Sequence, residues 1–247
     1  MIYRTEDPEK YITQKEHARF SSELVKSWEN ESFPKPRPFE SVRYAAEIHD
    51  FGWEIFEKYP EINPFNDKPY DFQEAPIKSK VGIWKLSREK ALENNLYSGY
   101  LVAKHCLNLS KMAVNHHSMS PESEEEIKQY WREESNVVEK CMYSLKDDTY
   151  FSQYLDQKRI AYNQEVLRIV DWISLIICLG IKDKSNFPSS LLGEEFRVKF
   201  VAQNDTQYTY KLKPYPFNQR VFYDKVIINK LNTDQTVNKY VKIEPMK

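Results

Sequence analysis

Glycine is scarce in this chain, at 5 of 247 residues. Glycine reaches left-handed backbone more readily than any other residue, so its rarity excludes a fold built on many tight turns and suits long helices. Cysteine is scarce too. Cys106, Cys141 and Cys178 are odd in number and show no zinc-knuckle or disulfide spacing, which excludes a disulfide framework. Each sits beside apolar residues in a helix-like stretch and reads as a buried free thiol. Long apolar runs are missing: the longest, 172–181, is too short to span a bilayer. The opening MIYRTEDPEK has no apolar core of a signal peptide. A cytoplasmic protein without membrane contact is the expectation. Neither sign of charge is in excess, with 36 Lys and Arg against 37 Asp and Glu. Dedicated nucleic-acid binding is therefore not expected, although a local basic pocket for a phosphate stays open.

Hydrophobic residues make up 40% of the chain and charged residues 30%, the balance of a globular protein with a substantial core. Thr13 followed by Glu16 has the capping-box pattern, in which two side chains satisfy backbone N–H groups at a helix start. Phe20, Leu24 and Trp28 then recur at helical spacing, until three prolines in 32–38 end the helix. Val42, Ala45, Ala46, His49, Trp53 and Phe56 form one stripe of a second helix, predicted over 39–58. A loop rich in Pro, Asn and Asp follows over 59–76, long enough to wall a site. Helical pattern returns near Ser87 and runs to about His117, with a break expected near Asn94 and Asn95. Ser120 and Pro121 predict an N-cap with proline in the first turn, and acidic 122–126 suit a helix N-terminus. A last helix over 149–179 ends at Gly180, a residue able to take the left-handed C-cap conformation.

Beyond Pro188 the period changes from helical to two. Phe196, Val198 and Phe200 alternate with charged residues, as do Tyr208, Tyr210 and Leu212, and Val221, Tyr223 and 226–228 follow. The expectation is a mainly α protein: a helical domain over 1–187 with a small antiparallel β appendage over 188–247 packed on it. That appendage could also pack between the subunits of a homodimer.

Several polar residues lie where an apolar face would not want them. Asp171 sits in RIVDWISLIICLG, where an ionised carboxylate costs several kcal/mol unless a cation, a helix cap or a metal compensates it. Arg168, one turn earlier, is an available salt-bridge partner. His49 lies on the apolar stripe, where a lone histidine is ordinarily a hydrogen-bonded core residue. Its neighbour Asp50 changes that reading. Adjacent helix residues point about 100° apart, and a cation at the edge of the stripe accounts for both. Imidazole nitrogen and carboxylate oxygen are common donors to first-row transition metals. His17 shares its side of the first helix with Phe20, Ser21, Leu24 and Trp28, and Gln14 is placed to orient it. His105, in SGYLVAKHCLNL, also faces inward, as a core histidine or as a fifth site residue. His116 and His117 read as a solvated helix terminus.

The order of a histidine, a His-Asp pair and a distant aspartate resembles the HD superfamily of metal-dependent phosphohydrolases. AAEIHDFGW is similar to its namesake helix and RIVDWISLIICLG to its last ligand helix. More closely, TQKEHARFSSEL, AAEIHDFGW, YPEINPFNDKPYDF, SGYLVAKHC and VDWISLIICLG resemble an uncharacterised bacterial family of unknown function within that superfamily. The resemblance covers most of the first 180 residues and continues into PYPF near Pro214. It implies an HD-like helical bundle in which His17, His49, Asp50 and Asp171 hold a divalent ion such as Mn, Fe, Zn, Ni or Mg.

It further implies hydrolysis of a small phosphorylated compound such as a nucleotide through a metal-activated water, with Asp50 and His105 as candidate catalytic residues. Arg19, Lys104 and Arg168 are candidate partners for substrate charge. Trp53 and the aromatics of 59–72 are candidate pocket walls. Two other readings stay open: a vestigial metal site in a protein that binds a ligand or partner without turnover, and an iron-dependent oxygenase, which needs more histidines than the chain supplies.

Overall fold

The computed structural model describes residues 1–114, 120–189 and 193–246. Seven α-helices and nine strands are described, with one 3-10 turn at Ser152–Tyr154: β1 (Ile2–Arg4), β2 (Asp7–Ile12), α1 (Gln14–Ser27), α2 (Phe39–Ile48), α3 (Phe51–Lys58), β3 (Ile62–Asn63), β4 (Lys68–Pro69), α4 (Ile77–Asn94), α5 (Leu96–Val114), α6 (Pro121–Lys146), α7 (Gln157–Leu179), β5 (Ser185–Ser189), β6 (Glu194–Gln203), β7 (Gln207–Lys213), β8 (Phe222–Lys230) and β9 (Thr236–Pro245). His116 and His117 lie outside the described residues.

Helix boundaries follow local chemistry. The Thr13 hydroxyl accepts the Glu16 backbone N–H at 3.1 Å and starts α1. The reciprocal half of the capping box is absent, because the Glu16 carboxylate is drawn instead to Arg19 and to the Ile227 N–H of β8. Ser120 caps α6, with Pro121 in its first turn. Asp156 caps α7, and Gly180 closes it with φ of 71°, a conformation that a side chain would strain.

The fold is mixed α/β, which corrects the expectation of a mainly α bundle carrying a small C-terminal antiparallel appendage. One seven-stranded sheet has the order β1-β2-β8-β9-β7-β6-β5 and takes in both ends of the chain. Lys10 and Tyr11 of β2 pair with Lys230 and Asn229 of β8. The sheet is not purely antiparallel either, since β7 runs parallel to β9. The N-terminal strands escape a period-two reading because β1 is three residues long and β2 carries charges on successive positions. Among the described strands β1 pairs only with β2, and β2 is tied into the sheet by β8 from the far end of the chain, which local pattern does not record.

The inner face of the sheet packs on α1 and α7. Phe20 meets Phe222 edge to face at 5.7 Å, and Trp28 stacks on Phe196 at 6.0 Å. The buried guanidinium of Arg4 in β1 donates to the Ile177 and Cys178 carbonyls in the last turn of α7, the first of which also accepts the Gly180 N–H. The sheet thus clamps together the two helices that carry His17 and Asp171. Cys106, Cys141 and Cys178 are buried free thiols. No described helix is long and apolar enough to cross a membrane.

Candidate metal centre

The helix predicted over 39–58 is two helices, and the break falls at the His-Asp pair. α2 ends at Ile48, His49 keeps helical angles, and Asp50 departs to φ of −111° and ψ of 19° before α3 starts. The break removes the 100° divergence that a continuous helix would impose on neighbouring side chains. His49 Nδ1 lies 2.9 Å from the Ala46 carbonyl, one of the acceptors orphaned at the end of α2. Asp50 takes the N-cap position of α3, where the helix dipole favours a negative charge.

His17 comes from α1, Asp171 from α7 and His105 from α5, and all meet at this junction. His17 Nε2 is 2.9 Å from Asp171 Oδ1 and 3.6 Å from Asp50 Oδ2. His49 Nε2 is 3.4 Å from Asp50 Oδ2 and 3.5 Å from Asp171 Oδ1. His105 Nε2 is 3.3 Å from Asp171 Oδ2. Two overlapping clusters result, His17–His49–Asp50 and His49–His105–Asp171, each able to hold a metal ion. Ligand atoms about 2.1 Å from one ion stand roughly 3.0–3.5 Å apart at right-angled to tetrahedral geometry. The observed separations fall close to that interval.

Proton placement sharpens the fit. The Ser174 hydroxyl donates to the His17 carbonyl at 2.9 Å and lies 2.8 Å from His17 Nδ1. Its single proton is used, so it accepts from Nδ1–H and leaves the Nε2 lone pair turned toward the carboxylates. Ala46 imposes the same tautomer on His49, since a carbonyl can only accept. His49 Nε2 and His105 Nε2 are buried without a hydrogen-bond partner. The Nε2 lone pairs of His17 and His49, facing carboxylate oxygens in a buried site, require a positive charge between them. Burial by itself would lower the pKa of His49 and raise that of Asp171. The carboxylates Asp50 and Asp171 reverse the first effect and push His49 up to about 9. His105, His17 and His49 reverse the second and hold Asp171 well below the usual carboxylate range. The site therefore stabilises cationic charge.

Several sequence expectations land elsewhere. Arg168 pairs with Glu165 and lies over Phe187, so it is not the partner of Asp171. Arg19 pairs with Glu16 and Asp224. Gln14 does not orient His17; Ser174 does. Ser174 had a signal in the sequence, as a small polar residue one turn beyond Asp171 in an otherwise apolar run. Lys80 was missed, because α4 begins ten residues before the expected return of helical pattern.

A cavity of about 570 Å³ opens on Asp50 and Asp171 and is walled by Trp53, Phe72 and Trp84. Lys80 and Gln14 also line it. Tyr59 and Phe65, from the same loop as Phe72, are exposed. His105 borders a separate, smaller cavity beside Gln164 and Arg168.

No curated protein and no solved structure matches the chain. The family model described as protein of unknown function (DUF3891) matches residues 1–233, and the chain belongs to that family.

Proposed function

We propose that the chain is a metal-dependent phosphohydrolase holding one divalent ion on His17, His49, Asp50 and Asp171. The observation that carries this reading is the pair of imidazoles whose Nδ1 atoms are committed to Ser174 and Ala46 while their Nε2 atoms face two carboxylates. Structural ion pairs do not need two histidines locked in the same tautomer. We take one ion as the occupancy, because His49 belongs to both clusters and has one free nitrogen.

When bound, the ion would polarise a phosphoryl oxygen and make a water acidic enough to attack phosphorus. The chain supplies the rest. Asp50, at the helix break and bordering the cavity, orients that water and accepts its proton. A bond forms from the water oxygen to phosphorus, and the ester P–O bond breaks. His105 Nε2, on the far oxygen of Asp171, gives a proton to the departing oxygen. Ser174 and Ala46 hold the two imidazole rings, a role that sets ligand direction and basicity. The aromatic walls keep bulk water from the phosphoryl group.

Elemental analysis of the purified protein, followed by a phosphoester screen with metal present, tests this. One equivalent of metal and a hydrolysis that Asp50→Ala abolishes are expected. Protein that neither carries metal nor gains thermal stability from Mn, Zn, Fe, Ni or Mg would overturn it.

A further inference from the structure

The cavity beside the two aspartates contains two buried polar groups that the fold leaves unfinished. Gln14 is 1% exposed, and its Oε1 has no hydrogen-bond partner. Lys80 is 5% exposed and forms no ion pair among the described residues; its ammonium donates to the Gln73 carbonyl at 2.6 Å. An ammonium has three N–H donors, and a buried one without a counter-charge is costly. Burial indeed pulls the Lys80 pKa down, with only partial relief from Asp71. Neither group serves the metal ligands. Both line the same cavity as Asp50 and Asp171, together with Trp53 and Trp84. An acceptor awaiting a donor, a cation awaiting an anion and flat apolar walls together describe a ligand.

We propose that this cavity selects an aromatic phosphomonoester, its ring between Trp53 and Trp84, one compact anionic group shared between the metal and Lys80, and a hydroxyl or N–H donating to Gln14. The inference rests on the phosphohydrolase reading of the adjacent site. Among the described residues, Lys80 is the one ammonium or guanidinium that lines the cavity. With two carboxylates already neutralising a divalent ion, it can balance little further charge. A nucleoside triphosphate brings several negative charges more than the cavity can meet, and unpaired buried charge is disfavoured. The volume of about 570 Å³ suits a ring system of modest size.

Calorimetric titration of the metal-loaded full chain with naphthylmethylphosphonate, which cannot be hydrolysed, and with adenosine triphosphate tests the proposal. The phosphonate should bind at least about tenfold more tightly than the triphosphate, since losing one charge-assisted contact alone is worth that factor. Lys80→Met should weaken phosphonate binding about tenfold or more, Lys80→Arg should retain most of it, and Gln14→Leu should weaken binding of a hydroxylated naphthyl phosphonate only. Equal or tighter triphosphate binding to the wild-type protein overturns the proposal without reference to any variant. So does phosphonate affinity that ignores Lys80→Met in protein with an unchanged melting curve. Metal content and hydrolysis are read separately. Metal-loaded, active protein with Lys80-independent binding sinks this inference alone, whereas Lys80-dependent binding by protein that takes up no metal sinks the hydrolase reading alone.

Discussion

The Ser174 hydroxyl touches His17 twice, at its carbonyl oxygen 2.9 Å away and at its Nδ1 2.8 Å away, so α7 fixes both the backbone and the ring of α1 at the site. Ser174→Ala removes the acceptor that sets the His17 tautomer. It leaves a buried N–H unsatisfied, at a cost of about 1–3 kcal/mol, and loosens one donor to the ion. Lowered metal affinity, by about 10-fold to 100-fold, is expected in competition with a calibrated chelator. Unchanged affinity would show that another group holds the ring.

His49 gives the site a pH signature. Its folded-state pKa is raised from 6.5 to about 9 in protein without metal: burial acts downward, and Asp50 and Asp171 outweigh it. A raised pKa contributes stability that is full below pH 6.5 and fades as pH climbs through 9. A metal ion takes the place of that proton, so loaded protein lacks this loss. The gap in melting temperature between metal-loaded and chelated protein should widen between those two pH values. A gap that narrows with rising pH contradicts the assignment.

The helix starts and stops were legible because they depend on neighbours in sequence. Thr13, Ser120 with Pro121, and Gly180 each act on backbone groups within a turn. The inward placement of His17, His49 and His105 was legible from apolar spacing. The break between Ile48 and Phe51 was not, because no proline marks it, Gly52 falls inside α3, and the apolar stripe runs on across the junction. The full seven-stranded sheet was hidden for a different reason: β1 and β2 join a sheet whose other strands lie at the far end of the chain. Lys80 was invisible because its meaning lies in having no ion-pair partner among the described residues, a property of packing and not of spacing.

His105 and His49 should separate in their effects. His105→Ala leaves four other donors in place and removes the proton given to the departing oxygen, so metal content should stay near the wild-type level. Turnover should fall by about 100-fold to 10,000-fold. His49→Ala should lose metal and turnover together. A His105→Ala protein that loses its metal would make His105 a ligand and not an acid.

Gly52 holds the His49–Asp50 junction against α4. A Cβ there would overlap the Ile83 carbonyl, and the Gly52 N–H donates to the Ser87 hydroxyl at 2.9 Å. Gly52→Ala should cost about 1–3 kcal/mol of stability through overpacking and displace Asp50 two residues away. Thermal melting together with metal content checks this; a variant as stable and as metal-rich as the wild type would show that α3 is free to shift.

Away from the site, Glu134 is pushed up to about 7 by burial, against the pull of Arg88, whose guanidinium lies 2.9 Å from its carboxylate. The shift is upward from 4.5, so this group's contribution is full below pH 4.5 and is lost as pH rises through 7. Glu134→Gln keeps an oxygen for Arg88 and cannot ionise. Its stability should decline less than the wild type's across that window in denaturant titrations, and parallel declines would contradict the shift.

The most direct test is the stoichiometry of metal uptake. Chelator-stripped wild-type protein, His49→Ala and Asp171→Asn would each be titrated with a divalent transition metal while bound ion is measured. One tight equivalent per wild-type chain, lost in both variants, is the expected result. Wild-type protein that binds none, or variants that bind as the wild type does, would contradict the assignment of His17, His49, Asp50 and Asp171 to a metal centre.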